Sequence, residues 1–184
     1  MWWKIISIKL IKISPKHYKF LYDLLTERKP FENISHKKLP SYSNHVKFIK
    51  STPYSKWLLI EYRNKIIGSV YLSKNKEIAI FIKKNIKDYK MEIHKKILEE
   101  VIKKFTRKKY FVNLNPRNKK MINFYKKSGF KLIYFTFELE AKGDVNLEPH
   151  DKAKIKFYKK NGYRMTQHIY MLEKNQKWRK PNLI

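Results

Sequence analysis

Residues 112–140 read VNLNPRNKKMINFYKKSGFKLIYFTFELE, and residues 145–173 read VNLEPHDKAKIKFYKKNGYRMTQHIYMLE. The two segments align without a gap at an offset of 33, with 13 identities in 29 positions. A short apolar run leads in each to Pro116 or Pro149, a residue suited to a first helical turn. An amphipathic stretch follows, and Gly129 or Gly162 stands where a left-handed residue closes a helix. Another strand pattern comes next. Two copies are too few for a solenoid, which needs at least three, so the segment is a duplicated strand-helix-strand element.

Working outward, residues 5–13 alternate apolar and polar side chains, the period of a half-buried strand, and Pro15 ends it. Phe20, Leu21, Leu24 and Leu25 form one stripe of a helix over 17–28 that Pro30 blocks. Residues 29–42 read as a loop, after which Ser43 caps a short helix that Pro53 closes. Trp57–Tyr62 and Lys65–Leu72 flank Arg63-Asn64, whose Asn tolerates the positive φ of a tight hairpin, and Glu77–Ile82 completes an antiparallel meander. Ile93, Ile97, Leu98, Val101, Ile102 and Phe105 mark an amphipathic helix. Tyr110–Leu114 is the strand that enters the repeat.

The chain has 184 residues, with 44 Lys or Arg against 15 Asp or Glu, a formal charge of +29. That length suits one domain with a real core. Its 15% aromatic content excludes a disordered basic tail. No apolar run is long enough to span a membrane, and the lysine-broken start reads as a strand and not a signal peptide, so a cytoplasmic location is expected. The absence of Cys removes disulfides and thiolate chemistry, and six scattered His lack metal-ligand spacing, so no metal is expected. The charge leaves two readings open, nucleic-acid binding and a lysine-rich composition without a specific partner.

The element order, together with Asn118-x-x-Met121-x-x-x-Tyr125-x-x-x-Gly129-Phe130 and Gly68 within Ile66–Val70, resembles the GNAT N-acetyltransferase family over about residues 4–140. The resemblance implies a mixed α/β (α+β) fold. A central, mostly antiparallel sheet is flanked by helices, here with an extra C-terminal strand-helix-strand repeat. It also implies transfer of acetyl from acetyl-CoA to a primary amine. In the family the cofactor lies between the fourth and fifth strands, which places Ile80, Phe81 and Ile82 against its pantetheine arm. Lys83, Lys87 and Lys90 then fall beside its pyrophosphate, and Asn115 and Asn118 at the next helix start. Tyr125 matches the tyrosine that protonates the departing thiolate, with an amphipathic core tyrosine as the alternative. Glu77 matches the base in many members, or is a strand-end charge. His36 and Lys37 fall where the family builds its acceptor pocket.

The sequence departs from the family between Lys83 and His94, where the pyrophosphate loop has lysines and no glycine. A catalytically degenerate GNAT-fold protein acting as a basic nucleic-acid-binding or interaction module is therefore the rival reading, and a homodimer through the repeat is a third. The expected organisation is an acetyltransferase domain over 1–140, the second copy over 141–174 and a basic tail over 175–184. One copy is expected to complete the domain, with the first preferred, while the other packs outside it or pairs with another chain.

Overall fold

The computed structural model describes residues 7–28, 39–86, 90–139 and 143–173. The chain forms two compact units, residues 1–107 and 108–184. Among the described residues no helix is long and apolar enough to cross a membrane.

The first unit carries a four-stranded antiparallel sheet in the order β1 (Ile8–Lys12), β2 (Lys56–Tyr62), β3 (Lys65–Leu72), β4 (Ile78–Ile82). Pro15 does end β1, and it opens a short 3-10 turn into α1 (Tyr18–Thr26). The helix α2 (Tyr42–Lys50) is capped by Ser41, whose side chain accepts from the Asn44 amide at 3.2 Å, two residues earlier than the expected Ser43. Both Arg63 (φ 50°) and Asn64 (φ 58°) are left-handed in the β2–β3 hairpin, the pair of positive φ values that a type I′ turn needs. Leu21, Ile49 and Leu59 form a core cluster with Trp57 and Phe20 packed against it. The fifteen-residue α3 (Lys90–Lys104) buries Ile93, Ile97, Leu98 and Val101.

The second unit contains both copies of the repeat. Its elements are β5 (Lys109–Leu114), α4 (Lys119–Lys127), β6 (Lys131–Leu139), β7 (Gly143–Leu147), α5 (Lys152–Lys160) and β8 (Arg164–Glu173). The sheet order is β5-β8-β6-β7, with every neighbouring pair antiparallel. It follows that β5 and β6 are parallel with β8 between them, and that β7 and β8 are parallel with β6 between them. The second copy thus does not pack outside or await another chain. Each copy leaves a gap one strand wide, and the other copy fills it.

The register makes this interleaving a pseudo-two-fold. Under the offset of 33, a pair a↔b must recur as (b − 33)↔(a + 33). Tyr134↔Ile169 recurs as Thr136↔Gln167, Leu132↔Tyr170 as Phe137↔Met165, and Lys131↔Met171 as Glu138↔Arg164. Phe135↔His168 maps onto itself, so the axis passes between them. Ladder β5–β8 maps onto β7–β6 in the same way, Leu114↔His168 onto Phe135↔Leu147 and Tyr110↔Leu172 onto Leu139↔Gly143. Even the irregularities correspond, since the register shifts skip Ile133 on β6 and Thr166 on β8. An axis that exchanges antiparallel neighbours is perpendicular to the sheet, so α4 and α5 lie on one face.

That helix-covered face carries Tyr110, Val112, Leu114, Tyr170, Leu172 and Leu147, all buried. Phe135 and His168 meet there with ring centroids 4.8 Å apart. Both ring nitrogens of His168 are buried and without a hydrogen-bond partner among the described residues. Burial, then the charges of Lys119 and Lys126, holds this imidazole below its ordinary value of 6.5. The folded state therefore binds fewer protons than the unfolded chain, and stability falls as pH drops below about 6.5 toward the folded value. His168→Phe, which installs the residue of the other copy, is expected to raise stability by about 1 kcal/mol at neutral pH. It should also flatten the loss between pH 7 and 5, both read by urea denaturation.

Candidate active site

The predicted site residues fall in both units, and each unit is described by itself. In the first, β4 is the last strand of its sheet, so one edge of Ile80, Phe81 and Ile82 has no strand partner among the described residues. Its inner edge is set by Gly68. A Cβ built there would lie 2.0 Å from the Phe81 carbonyl oxygen, so only glycine permits β3 and β4 to approach at that point.

Glu77 stands immediately before β4 and is anchored by its backbone, with its amide donating to Ser73 Oγ at 3.0 Å and its carbonyl accepting from the Ser73 amide at 2.9 Å. Around it lies an aromatic cluster that sequence reasoning missed. Tyr54 and Tyr71 stack at 3.9 Å with planes 2° apart and share a hydrogen bond between their hydroxyls. Burial pushes both phenols up, and the nearby Glu77 charge adds to the effect while Arg28 opposes it. Trp57 meets Tyr54 edge-on at 5.0 Å, and its indole N–H is buried without a partner among the described residues. The Arg28 guanidinium lies 3.4 Å from the centre of the Phe81 ring. The signal for this cluster was the hairpin register, which sets Trp57 opposite Tyr71 and Ser69 opposite Phe81.

At the end of β4, Lys83 continues the pairing through its amide to the Ile67 carbonyl at 2.8 Å, and its ammonium lies 5.5 Å from the Phe20 ring centre. The next amide, of Lys84, donates to Glu27 Oε2 at 2.8 Å. The carboxylate of Glu27, the C-cap of α1, thus occupies an amide of the segment expected to cradle a pyrophosphate. Lys90 is the first residue of α3. His36, Lys37 and Lys87 lie outside the described residues.

In the second unit, β5 is likewise the last strand of its sheet. The Asn115 side chain accepts from the Arg117 amide at 2.9 Å, and its carbonyl accepts from the Asn118 amide at 2.9 Å. Asn118 caps α4, its Oδ1 accepting from the Met121 amide at 3.3 Å. At the other end, the Phe130 amide reaches the Tyr125 carbonyl and the Gly129 amide reaches the Lys126 carbonyl, both at 3.0 Å, with Gly129 at φ 86°. These are the two bonds of a Schellman motif, and the Tyr125 and Phe130 rings, 5.2 Å apart, supply its apolar clasp.

The spacing Tyr-x-x-x-Gly-aromatic is therefore a helix-ending device, and the second copy repeats it. Tyr163 bonds to the Tyr158 carbonyl, Gly162 stands at φ 84°, and the Tyr158 and Tyr163 rings lie 4.9 Å apart. Surroundings separate the two tyrosines. Tyr125 is 3% exposed and its phenol is pushed well up by burial alone, whereas Tyr158 is half-buried and no residue of α5 is buried. Of the two, Tyr125 has its phenol enclosed.

No protein-family model matches the sequence, and no curated protein matches it. Solved structures do. A spermidine N-acetyltransferase from Vibrio cholerae in complex with CoA and spermine aligns over 92% of this chain and 96% of its own, with TM-score 0.64 and 12% identity. The fold is that of the GNAT acetyltransferases. The microcin C7 self-immunity acetyltransferase MccE, in complex with acetyl-CoA and AMP, aligns over 91% of this chain and 92% of its own at TM-score 0.59 and 18% identity. The Campylobacter jejuni N-acetyltransferase PseH covers 93% and 99% at TM-score 0.54 and 14% identity. At these identities the likeness fixes the fold, and the GNAT resemblance of the motif stands with it.

Because Gly68 sets the distance between β3 and β4, Gly68→Ala is expected to cost about 3 kcal/mol, the range of a substitution that drives a side chain into backbone. Chemical denaturation checks this. A midpoint unchanged from the parent protein would show that β4 can shift.

Proposed function

We propose that this chain transfers an acetyl group from acetyl-CoA to a primary amine. One observation carries the reading: the alignment, over 92% of this chain, with an acetyltransferase crystallised with CoA and spermine. Two features of the chain itself agree with it. The edge of β4 that has no strand partner among the described residues offers backbone groups of Ile80–Ile82 to a pantetheine arm. The Lys84 amide, already donating to a carboxylate, is oriented toward an anionic oxygen, and a pyrophosphate would take the place of Glu27 there. Lys83, Lys87 and Lys90 supply positive charge in a segment without glycine, while Asn115 and Asn118 hold the start of α4.

In the reaction the amine nitrogen attacks the thioester carbon, a C–N bond forms, the C–S bond breaks, and the thiolate leaves. Glu77 takes the proton that the ammonium must lose before attack. The faces of Tyr54, Tyr71 and Trp57 beside it suit a cationic acceptor, and the family resemblance assigns acceptor contacts to His36 and Lys37. Tyr125 gives its proton to the departing thiolate. Burial raises the phenol above its ordinary value and so weakens it as an acid. The step therefore needs the departing thiolate to be desolvated in the same enclosure, where its basicity rises too.

Isothermal titration with acetyl-CoA is expected to give a micromolar Kd, and no heat at high micromolar ligand would remove the proposal. Tyr125→Phe should lower kcat roughly 100-fold with little change in KM. Glu77→Gln should slow the reaction at neutral pH and recover as pH rises, because the acceptor then arrives already deprotonated.

A second reading rests on α5. Phe157 is 60% exposed, and Lys152, Lys156, Lys159 and Lys160 around it are exposed as well. That combination suits a single-stranded nucleic acid, through phosphate contacts and base stacking. A mobility shift with generic RNA that weakens with salt and ignores acetyl-CoA is the expected outcome on this reading. No retention at low salt would dismiss it.

A further inference from the structure

Arg28 lies just beyond the end of α1, where its amide donates to the Leu25 carbonyl at 3.2 Å. Its guanidinium stacks over Phe81 of β4, 3.4 Å from the ring centre. The register shows which side of the sheet this is. Trp57, Tyr71 and Ala79 stand opposite one another across β2, β3 and β4, as do Leu59, Ser69 and Phe81, so all six side chains share one face. Leu59 clusters there with Leu21 of α1 and Ile49 of α2. Arg28 and Phe81 thus stand on the helix-covered side of the first sheet, at the strand whose outer edge has no strand partner among the described residues.

Phe81 leads from Arg28 to the group around Glu77. Its ring lies 6.0 Å from that of Tyr71, which stacks on Tyr54. Both phenols feel two opposite charges, Arg28, which draws them down, and Glu77, which pushes them up. One guanidinium and one carboxylate therefore flank the same pair of tyrosines. Arg28, Tyr54, Tyr71, Glu77 and Phe81 are each only half-buried, so every member keeps accessible surface.

Stacking engages the plane of a guanidinium, whereas its N–H groups point outward in that plane and bind oxygen ligands in pairs. An arginine held by its face on Phe81 is fixed in orientation, and a carboxylate meets it without the cost of ordering a mobile side chain. Charge then selects the acceptor. The group carries one positive side chain, Arg28, and one negative, Glu77, and so sums to zero. An amine that carries one carboxylate is its complement, with the ammonium toward Glu77 and the carboxylate toward Arg28. A polyamine, positive along its length, would meet Arg28 as a like charge in a chain of +29. A phosphate monoester would bring about two negative charges against one guanidinium.

We propose that Arg28 binds a carboxylate of the acceptor, so that the amine acetylated by this chain is an amino carboxylate. The inference rests on the acetyltransferase reading and goes further by naming the acceptor's chemistry. The bonds made and broken are unchanged: the free amine attacks the thioester carbon, the thiolate leaves, and the carboxylate at Arg28 takes no part. Arg28 is a specificity residue.

Release of the CoA thiol, followed with matched acceptors, tests it. Glycine, β-alanine and γ-aminobutyrate are each compared with the alkylamine that lacks the carboxylate, with spermidine and phosphoethanolamine as further arms. The best amino carboxylate should exceed its alkylamine at least about 10-fold in kcat/KM, the worth of one charge-assisted pair. Arg28→Gln should lower kcat/KM for that amino carboxylate about 10-fold, through KM, and leave the alkylamine within about two-fold, whereas a merely structural arginine would lower both alike. Arg28→Lys, which keeps the charge, should retain part of the preference. An alkylamine, spermidine or phosphoethanolamine used as well as the best amino carboxylate would overturn the proposal. So would a preference untouched by Arg28→Gln, or acetyl-CoA binding without turnover of any amino carboxylate. Absence of acetyl-CoA binding by titration would instead remove the acetyltransferase reading, and this proposal with it.

Discussion

Everything in the second unit depends on the pairing of β6 with β8 through Phe135 and His168. A strand-helix-strand element whose two strands are parallel and not adjacent cannot form a sheet alone, because its strands share no hydrogen bonds. The two copies complete each other only if β6 and β8 lie side by side with Phe135 opposite His168. A slip by one residue would break the correspondence of both outer ladders and turn every buried side chain to the opposite face. The matching register shifts at Ile133 and Thr166 show how closely the halves agree. Because β5 pairs with β8, Lys109 meets Glu173 across nearly the whole unit. Neither 33-residue copy is thus a folding unit by itself, and long-range pairing of this kind is entropically costly to nucleate.

Much of this was legible in the sequence, and the illegible part has a common cause. Helix and strand positions follow local periodicity, and they came out within a few residues over the described chain. The hairpin at Arg63-Asn64, the left-handed Gly129 and the caps of α4 and α5 are local devices whose residues identify themselves. Ser41 took the cap expected of Ser43 because the helix begins earlier than its apolar stripe. The interleaving of the copies was not legible, since the identities concentrate in the strand before the helix, the helix itself and its turn. The paired strands β6 and β8 share only the residue pair Leu139 and Leu172 within their spans. Pairing partners are chosen by the register of distant strands, which no local pattern records.

The candidate site shows the same division more sharply. The motif that suggested a catalytic tyrosine is, in its backbone, a Schellman motif with an aromatic clasp, and the chain contains it twice. Spacing alone therefore cannot separate Tyr125 from Tyr158. Enclosure does: one phenol is buried in the unit, while the other stands on a helix with no buried residue. The aromatic group around Glu77 was hidden for the opposite reason. Its members come from β2, β3, β4, the turn after α1 and the segment before β2, and only the sheet register assembles them.

The charge of the chain acquires a different meaning once it is placed on this fold. Lysine is spread over helix surfaces, as on α5, where Lys152, Lys154, Lys156, Lys159 and Lys160 are exposed. The segment after β4 is different, because there the backbone amide of Lys84 is held by the carboxylate of Glu27. In a glycine-free loop the side chains crowd the approach of a phosphate but leave the amide direction intact. On the proposed acetyltransferase reading, Glu27 would be an internal competitor, since an anion taking the Lys84 amide must displace its carboxylate. Affinity for an anionic substrate at this segment is thus a difference between two similar interactions, and the surrounding lysines favour the more highly charged of them. A pyrophosphate carries more charge than a carboxylate, so on that reading the charges of Lys83 and Lys84 would favour exchange in its direction.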